Sequence, residues 1–187
     1  QKNSFDESVW TKIPRGTYDW NNYKSYYDSC YAMQDGNLIL RGIANHTQKN
    51  DTAPYLTGGV YTKGKKLFTG GRVEVCARLQ AAKGAWPAIW MLPEKAEWPK
   101  GGEIDIMERL NHDHIAYQTT HSYYTHILGI KDNPPHGGIN KINPEEYNIY
   151  SVDIYPDSLV FAVNHRHTYT YPRIDTYKEV QFPFYQP

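Results

Sequence analysis

Apolar and polar residues alternate with a period of two along much of this chain. The run Val73-Glu74-Val75-Cys76-Ala77-Arg78-Leu79 shows it most clearly and predicts a strand over Gly71–Leu79 with one buried face. The same pattern predicts a strand over Leu38–Ile43, after the turn signal Asp35-Gly36-Asn37. It predicts others over Gly58–Tyr61, Ala85–Leu92, Tyr117–Tyr124, Tyr147–Tyr155, Leu159–Val163 and Thr168–Tyr171, the last three joined by turns at Pro156-Asp157 and Asn164-His165. Residues 1–24 and 45–57 read as irregular or loop, and no stretch carries a convincing helical period. There are no internal repeats and no linker, so residues 1–187 read as one all-β domain.

One strand breaks the rule that strands exclude acids. Residues 101–108 read Gly-Gly-Glu-Ile-Asp-Ile-Met-Glu and put Glu103, Asp105 and Glu108 among Ile104, Ile106 and Met107. Alternation points Glu103 and Asp105 to one face and sends Glu108 to the other. A one-residue bulge near Met107 returns Glu108 to the acidic face and leaves Ile104 and Ile106 on a dry one. Glu103 and Glu108 then lie about 13 Å apart along the backbone. A retaining glycosidase needs its two carboxyl groups about 5–5.5 Å apart, and an inverting one roughly 6.5–9.5 Å. Two long side chains lean that close only on a curved sheet. Trp86, Trp90 and Trp98 lie nearby in sequence, and aromatic faces suit the apolar C–H surfaces of a sugar ring.

Composition narrows the classes. With 20 Lys+Arg against 20 Asp+Glu there is no electrostatic case for nucleic acid or an anionic membrane. Aromatics reach 14%, with 17 Tyr, which fits a β-rich protein for a neutral polar ligand. No apolar run approaches the roughly 20 residues that span a bilayer. Cys30 and Cys76 are too few for a disulfide framework; Cys76 reads as a small buried hydrophobe, and a bridge between the two is left open. His112-Asp113-His114 has no third ligand at diagnostic spacing, so no metal site is assigned. Gly-x-Ser-x-Gly, phosphate-loop and His-Glu-x-x-His patterns are absent. Asn45 lies in a polar loop and is a candidate for binding sugar hydroxyls. Residues 125–145, rich in Pro, Gly and His, are longer than a hairpin connection and are expected to rim a cleft and bear on substrate choice.

Four segments, in order and spacing, resemble glycoside hydrolase family 16 in its laminarinase-like branch. They are Tyr61-Thr62-Lys63-Gly64, Gly71-Arg72-Val73-Glu74-Val75, Trp86-Pro87-Ala88-Ile89-Trp90-Met91-Leu92-Pro93 and Trp98-Pro99-Lys100-Gly101-Gly102-Glu103-Ile104-Asp105-Ile106-Met107-Glu108. The resemblance implies a curved two-sheet antiparallel β-jelly-roll sandwich, concanavalin A-like, with a sugar cleft on its concave sheet. It implies a retaining double displacement with Glu103 as nucleophile, Glu108 as general acid/base starting protonated, and Asp105 tuning the nucleophile. Trp90 and Trp98 match positions that line sugar subsites, and His121 matches a histidine facing the cleft. No cofactor is implied, although some members bind a structural calcium away from the cleft. The family pattern continues into a further core strand after Phe182-Pro183-Phe184-Tyr185-Gln186-Pro187, so the chain is expected to lack C-terminal strand(s), with a complementing fragment as one resolution.

The expected function is therefore endo-acting retaining hydrolysis of internal β-1,3 or β-1,4 linkages. Mucin O-glycan, keratan and galactan enzymes share the branch with endo-β-1,3(4)-glucanases. The Tyr-rich N-terminal half and the His/Pro loop tilt the reading towards galactose-containing host glycans of poly-N-acetyllactosamine type. The alternatives are an endo-β-1,3(4)-glucanase and a non-catalytic carbohydrate-binding jelly roll. A monomer that is secreted, periplasmic or at the cell surface is expected, with a polysaccharide or glycan as its partner.

Overall fold

Period-two patterning becomes antiparallel pairing between the named strands. The computed structural model describes residues 5–175 and 179–187. Contacts divide the chain into two compact units, Gln1–Leu67 and Phe68–Pro187, although no linker marks a division in the sequence.

The first unit is built from three small antiparallel pairs. Strand β1 (Thr11–Lys12) pairs with β6 (Val60–Tyr61), β2 (Tyr31–Gln34) with β3 (Asn37–Leu40), and β4 (Gly42–Ala44) with β5 (Tyr55–Thr57). The single strand expected over Leu38–Ile43 is thus two, and the end of the loop expected over 45–57 is a strand. The reason for the second difference is local. Leu56 alternates inward and is buried between Tyr55 and Thr57, a signal too short to stand out from its polar surroundings.

The second unit is a sandwich of two four-stranded antiparallel sheets. One has the order β11-β10-β9-β8, from β8 (Ala88–Met91), β9 (Glu103–Glu108), β10 (Ile115–His121) and β11 (Gly137–Lys141). The other has the order β14-β13-β12-β7, from β7 (Gly71–Ala77), β12 (Asn148–Ile154), β13 (Ser158–Val163) and β14 (Arg166–Pro172). Ile104, Ile106, Met107 and Ala116 from the first sheet meet Tyr150, Val152, Leu159, Phe161, Val163 and Tyr171 from the second in one hydrophobic core. Burial of such side chains, at about 25 cal/mol per Å² of apolar surface, holds the two layers together. Phe161 stacks on Tyr169 at 4.6 Å between ring centres.

Two expectations are corrected here. Cys76 is exposed, because Val73, Val75 and Ala77 take the inward positions of β7 and leave it on the face of Arg72 and Glu74. Cys30 is buried, and both cysteines are free. A short helix, α1 (Tyr123–His126), also exists. Its Ser122 hydroxyl accepts from Thr125 N–H while the Thr125 hydroxyl accepts from Ser122 N–H, a reciprocal cap that supports a single turn. Four residues are too few to register as a period. Among the described residues no helix is long and apolar enough to cross a membrane.

Candidate active site

The acidic strand β9 is built around a bulge. Against β8, Asp105 faces Trp90 while Met107 faces Ile89, so one residue of β9 has no counterpart. Against β10, Asp105 faces Thr119 while Glu108 faces Tyr117, so Ile106 and Met107 together oppose Gln118. Two consecutive side chains, Ile106 and Met107, therefore enter the core. The strand regains its alternation one residue later and presents Glu108 on the side of Glu103 and Asp105. The bulge lies where alternation predicts it, but the dry face expected to hold Ile104 and Ile106 alone also takes Met107.

The bulge has a dedicated partner. Gln118 is fully buried, and its side-chain Nε2–H donates to the Ile106 carbonyl at 2.8 Å and to the Ala162 carbonyl of the facing sheet at 3.2 Å. A bulge frees a ladder carbonyl, and a buried unpaired carbonyl costs about 1–3 kcal/mol. Gln118 answers that need. Sequence reasoning missed it, although a glutamine on the buried face of an alternating strand was a readable signal. Upstream, Gly102 (φ +82°) aims the strand, and a side chain there would collide with Phe184 at 2.6 Å.

Directly opposed residues in an antiparallel pair share a face. The acidic face thus carries the rungs Trp90–Asp105–Thr119 and Ala88–Glu108–Tyr117, with His121 opposite Glu103. Trp98 Nε1–H donates to Glu103 Oε2 at 2.6 Å, and Trp86 Nε1–H donates to Glu108 Oε1 at 2.7 Å. Both tryptophans are half exposed, so each fixes a carboxylate with its edge and still offers ring surface to solvent. His121 Nε2 lies 3.0 Å from Asp105 Oδ2. Asp105 is only 3% exposed, and its Oδ2 is enclosed without a hydrogen bond of acceptable geometry.

Electrostatics follow from this burial. Glu103 is pushed up to about 7, by desolvation first and by the charge of Asp105 second. Asp105 is likewise pushed up to about 7, by desolvation first and the charge of Glu108 second. The interaction between the two carboxyls raises Glu103 further and lowers Asp105, so they titrate as a pair.

Other candidates fall as follows. Asn45 belongs to the first unit, where its amide N–H groups donate to the carbonyls of Asp51 and Ala53 and its Oδ1 accepts from Gln48 N–H; it shapes its own loop. His112 and His114 are exposed, and Asp113 accepts from the Tyr117 hydroxyl at 2.8 Å. The segment expected to form one long loop over 125–145 contains β11, and two of its histidines reach the site. His126 packs edge-on against Trp98 at 4.5 Å, and the His136 ring lies 6.3 Å from that of His121. Burial pushes the pKa of His136 down, and its Nδ1 is 3.0 Å from the Lys131 carbonyl. That bond requires Nδ1–H and leaves Nε2 as an acceptor. Among the described residues the His, Cys, Asp and Glu side chains that converge as metal ligands would are Glu103, Asp105 and His121.

A family model described as an XgeA-like, catalytic GH16 domain matches residues 24–147. The keratan-sulfate endo-1,4-β-galactosidase of Sphingobacterium multivorum is 38% identical over 98% of this chain and 44% of its own length. The β-glucanase of Rhodothermus marinus is 30% identical over 84% of this chain and 57% of its own length. The chain thus spans about half the length of these relatives. The laminarinase structure from Rhodothermus marinus superposes with a TM-score of 0.84 at 28% identity, covering 97% of this chain and 76% of that one.

Proposed function

The chain belongs to glycoside hydrolase family 16, and from that premise we propose that it hydrolyses internal β-glycosidic bonds with retention of configuration. The observation that carries this reading is the bulge at Ile106–Met107, which puts Glu103 and Glu108 on one face with an indole N–H on each carboxylate.

Glu103 is the nucleophile and Glu108 the general acid/base. For the attack Glu103 must be ionised, against the burial and the charge of Asp105 that help it to hold a proton. Glu103 meanwhile keeps the indole N–H of Trp98, which favours its anion. The Glu103 carboxylate attacks the anomeric carbon as the glycosidic oxygen departs with the proton of Glu108. Glu108, now a carboxylate, takes a proton from water; that water attacks the anomeric carbon and frees Glu103. Trp86, Trp90, Trp98 and His121 line the sugar beside these acids. No step calls for a cofactor. The protein acts outside the cytoplasm, as a monomer, on a polysaccharide or glycan.

The substrate reading leans to galactose-containing glycans of poly-N-acetyllactosamine type, supported by similarity to the keratan-sulfate galactosidase along nearly the whole chain. The likeness to the laminarinase structure favours β-1,3(4)-glucan as the second reading. Product profiling on poly-N-acetyllactosamine, agarose, laminarin and lichenan separates them. The mechanism is tested with Glu103→Ala. Activity falls by about 10⁴-fold or more, and azide restores cleavage to give an α-glycosyl azide. An inverted first product from the unaltered protein removes the double displacement. Binding without new reducing ends on every substrate leaves a carbohydrate-binding module.

A further inference from the structure

We propose that Glu103, Asp105 and His121 form a binding site for a divalent transition ion of the Zn²⁺ class, and that the ion shuts the active site when it binds. The three side chains offer one ligand atom each, and these atoms lie within 4.8 Å of one another. Their placement is fixed by register, since His121 sits opposite Glu103 across the β9–β10 pair with Asp105 two residues along on the same face.

A cluster of acids alone would carry no such claim. The second observation is the state of Asp105. It is almost wholly buried, yet its Oδ2 is enclosed without a hydrogen bond and points at the His121 Nε2, 3.0 Å away. A lone pair desolvated without a donor costs free energy, and a cation between the two atoms removes that cost. The spacing suits an ion. Adjacent ligands about 2.1 Å from a metal are separated by about 3.0 Å in octahedral and about 3.4 Å in tetrahedral geometry. Glu103 supplies the third ligand. Trp98 holds its Oε2, which leaves Oε1 to turn towards the ion. Among the described residues no Lys or Arg forms an ion pair with any of these carboxylates, so no resident cation competes.

The imidazole sets the class. One nitrogen and two carboxylate oxygens suit Zn²⁺, Co²⁺ or Cu²⁺, whereas Ca²⁺ and Mg²⁺ prefer oxygen alone. Binding needs the neutral imidazole and ionised carboxylates, and it occupies the lone pair with which Glu103 would attack carbon. The ion is thus an inhibitor. That inhibition rests on the assignment of Glu103 as nucleophile, whereas the binding itself does not.

The test is calorimetric titration of the chelator-treated protein with Zn²⁺, repeated with Co²⁺ while its visible d–d absorption is followed. One ion per chain is expected. His121→Ala and Asp105→Asn should each weaken binding by more than about 100-fold, beyond the loss typical of a residue that only orients a ligand. His121→Gln is the second variant at that position, and circular dichroism verifies that each variant is folded. His112→Ala/His114→Ala should bind as the unaltered protein does. The inference is overturned if the unaltered protein takes up no ion, if His121→Ala and His121→Gln bind normally, or if the His112/His114 pair proves responsible. Zn²⁺ uptake at this site by a protein that cleaves no glycan would uphold the site and overturn the hydrolase reading. Cleavage that continues unchanged with one Zn²⁺ per chain bound would overturn the inhibitory role.

Discussion

The two sheets of the sandwich treat their acids in opposite ways. In the sheet formed by β7, β12, β13 and β14, Asp153 receives two hydrogen bonds from Arg72, both 2.7 Å long, and Glu74 lies 3.9 Å from the same guanidinium. Arg72 holds Asp153 below the usual carboxylate range. In the sheet formed by β8 to β11, Glu103, Asp105 and Glu108 share one face with no Lys or Arg paired to any of them among the described residues. Indole N–H groups and one imidazole stand where cations would be, and Glu103 and Asp105 are raised. Acids placed for stability sit beside a cation. The proposed catalytic acids are kept apart from one, and a strong cation would fix them as anions and take away their use as proton carriers.

The contrast depends on the bulge, so breaking the bulge should have the largest effect. Met107 is fully buried and is the second of the two consecutive side chains that anchor it. Met107→Ala should cost about 3 kcal/mol of unfolding free energy through lost burial and a residual cavity. Urea denaturation measures this. Glycan cleavage, assayed well below the new midpoint, should fall as well, since Glu108 is aimed by the same two residues. Unchanged activity would mean that the bulge is not what positions Glu108.

Much of this site was legible beforehand, for physical reasons. Period two is short, so three acids in eight residues already constrain which side each takes, and the single exception, Glu108, demanded a bulge. What stayed hidden depends on contacts distant in sequence. Gln118 serves the carbonyl of Ile106 on a neighbouring strand, and only pairing shows it. Trp86 could be placed near a sugar by residue type, but its hydrogen bond to Glu108 arises from the arrangement of β8 beside β9. Asn45 looked available because polar loop residues often are. Its own loop's carbonyls take up its N–H groups, and spacing alone does not reveal that. The division into two units left no mark in composition, because both halves are polar and rich in tyrosine.

Asp105 gives the next effect, and it depends on pH. A carboxyl group held near 7 in the folded chain, against 3.8 when unfolded, binds its proton more tightly in the native state. Its cost to stability is absent below pH 3.8, grows as pH rises towards 7, and is complete above that. Asp105→Asn, in the presence of EDTA, should therefore raise unfolding free energy at pH 8 by about 2 kcal/mol and change it little at pH 3.5. The full shift would give more, but a buried amide at position 105 carries a desolvation cost of its own, which takes back part of the gain. Activity should fall in the same variant. Equal stabilisation at both pH values would show that the amide gains by packing and would remove the electrostatic account.

The smallest effect is expected in the other sheet. Arg72 and Asp153 form a two-point pair, but half of the Arg72 side chain is in water, and exposed pairs are screened. Arg72→Met should lower the melting temperature by no more than about 2 °C at 0.15 M salt, and adding 1 M salt to the parent should remove most of that difference. Asp153 should then titrate closer to an ordinary carboxylate, which NMR of its side-chain carboxyl would follow. Cleavage should be unchanged, because neither residue belongs to the acidic face. A large loss of activity in Arg72→Met would mean that the two sheets do not divide stability from chemistry as their charge pairing suggests.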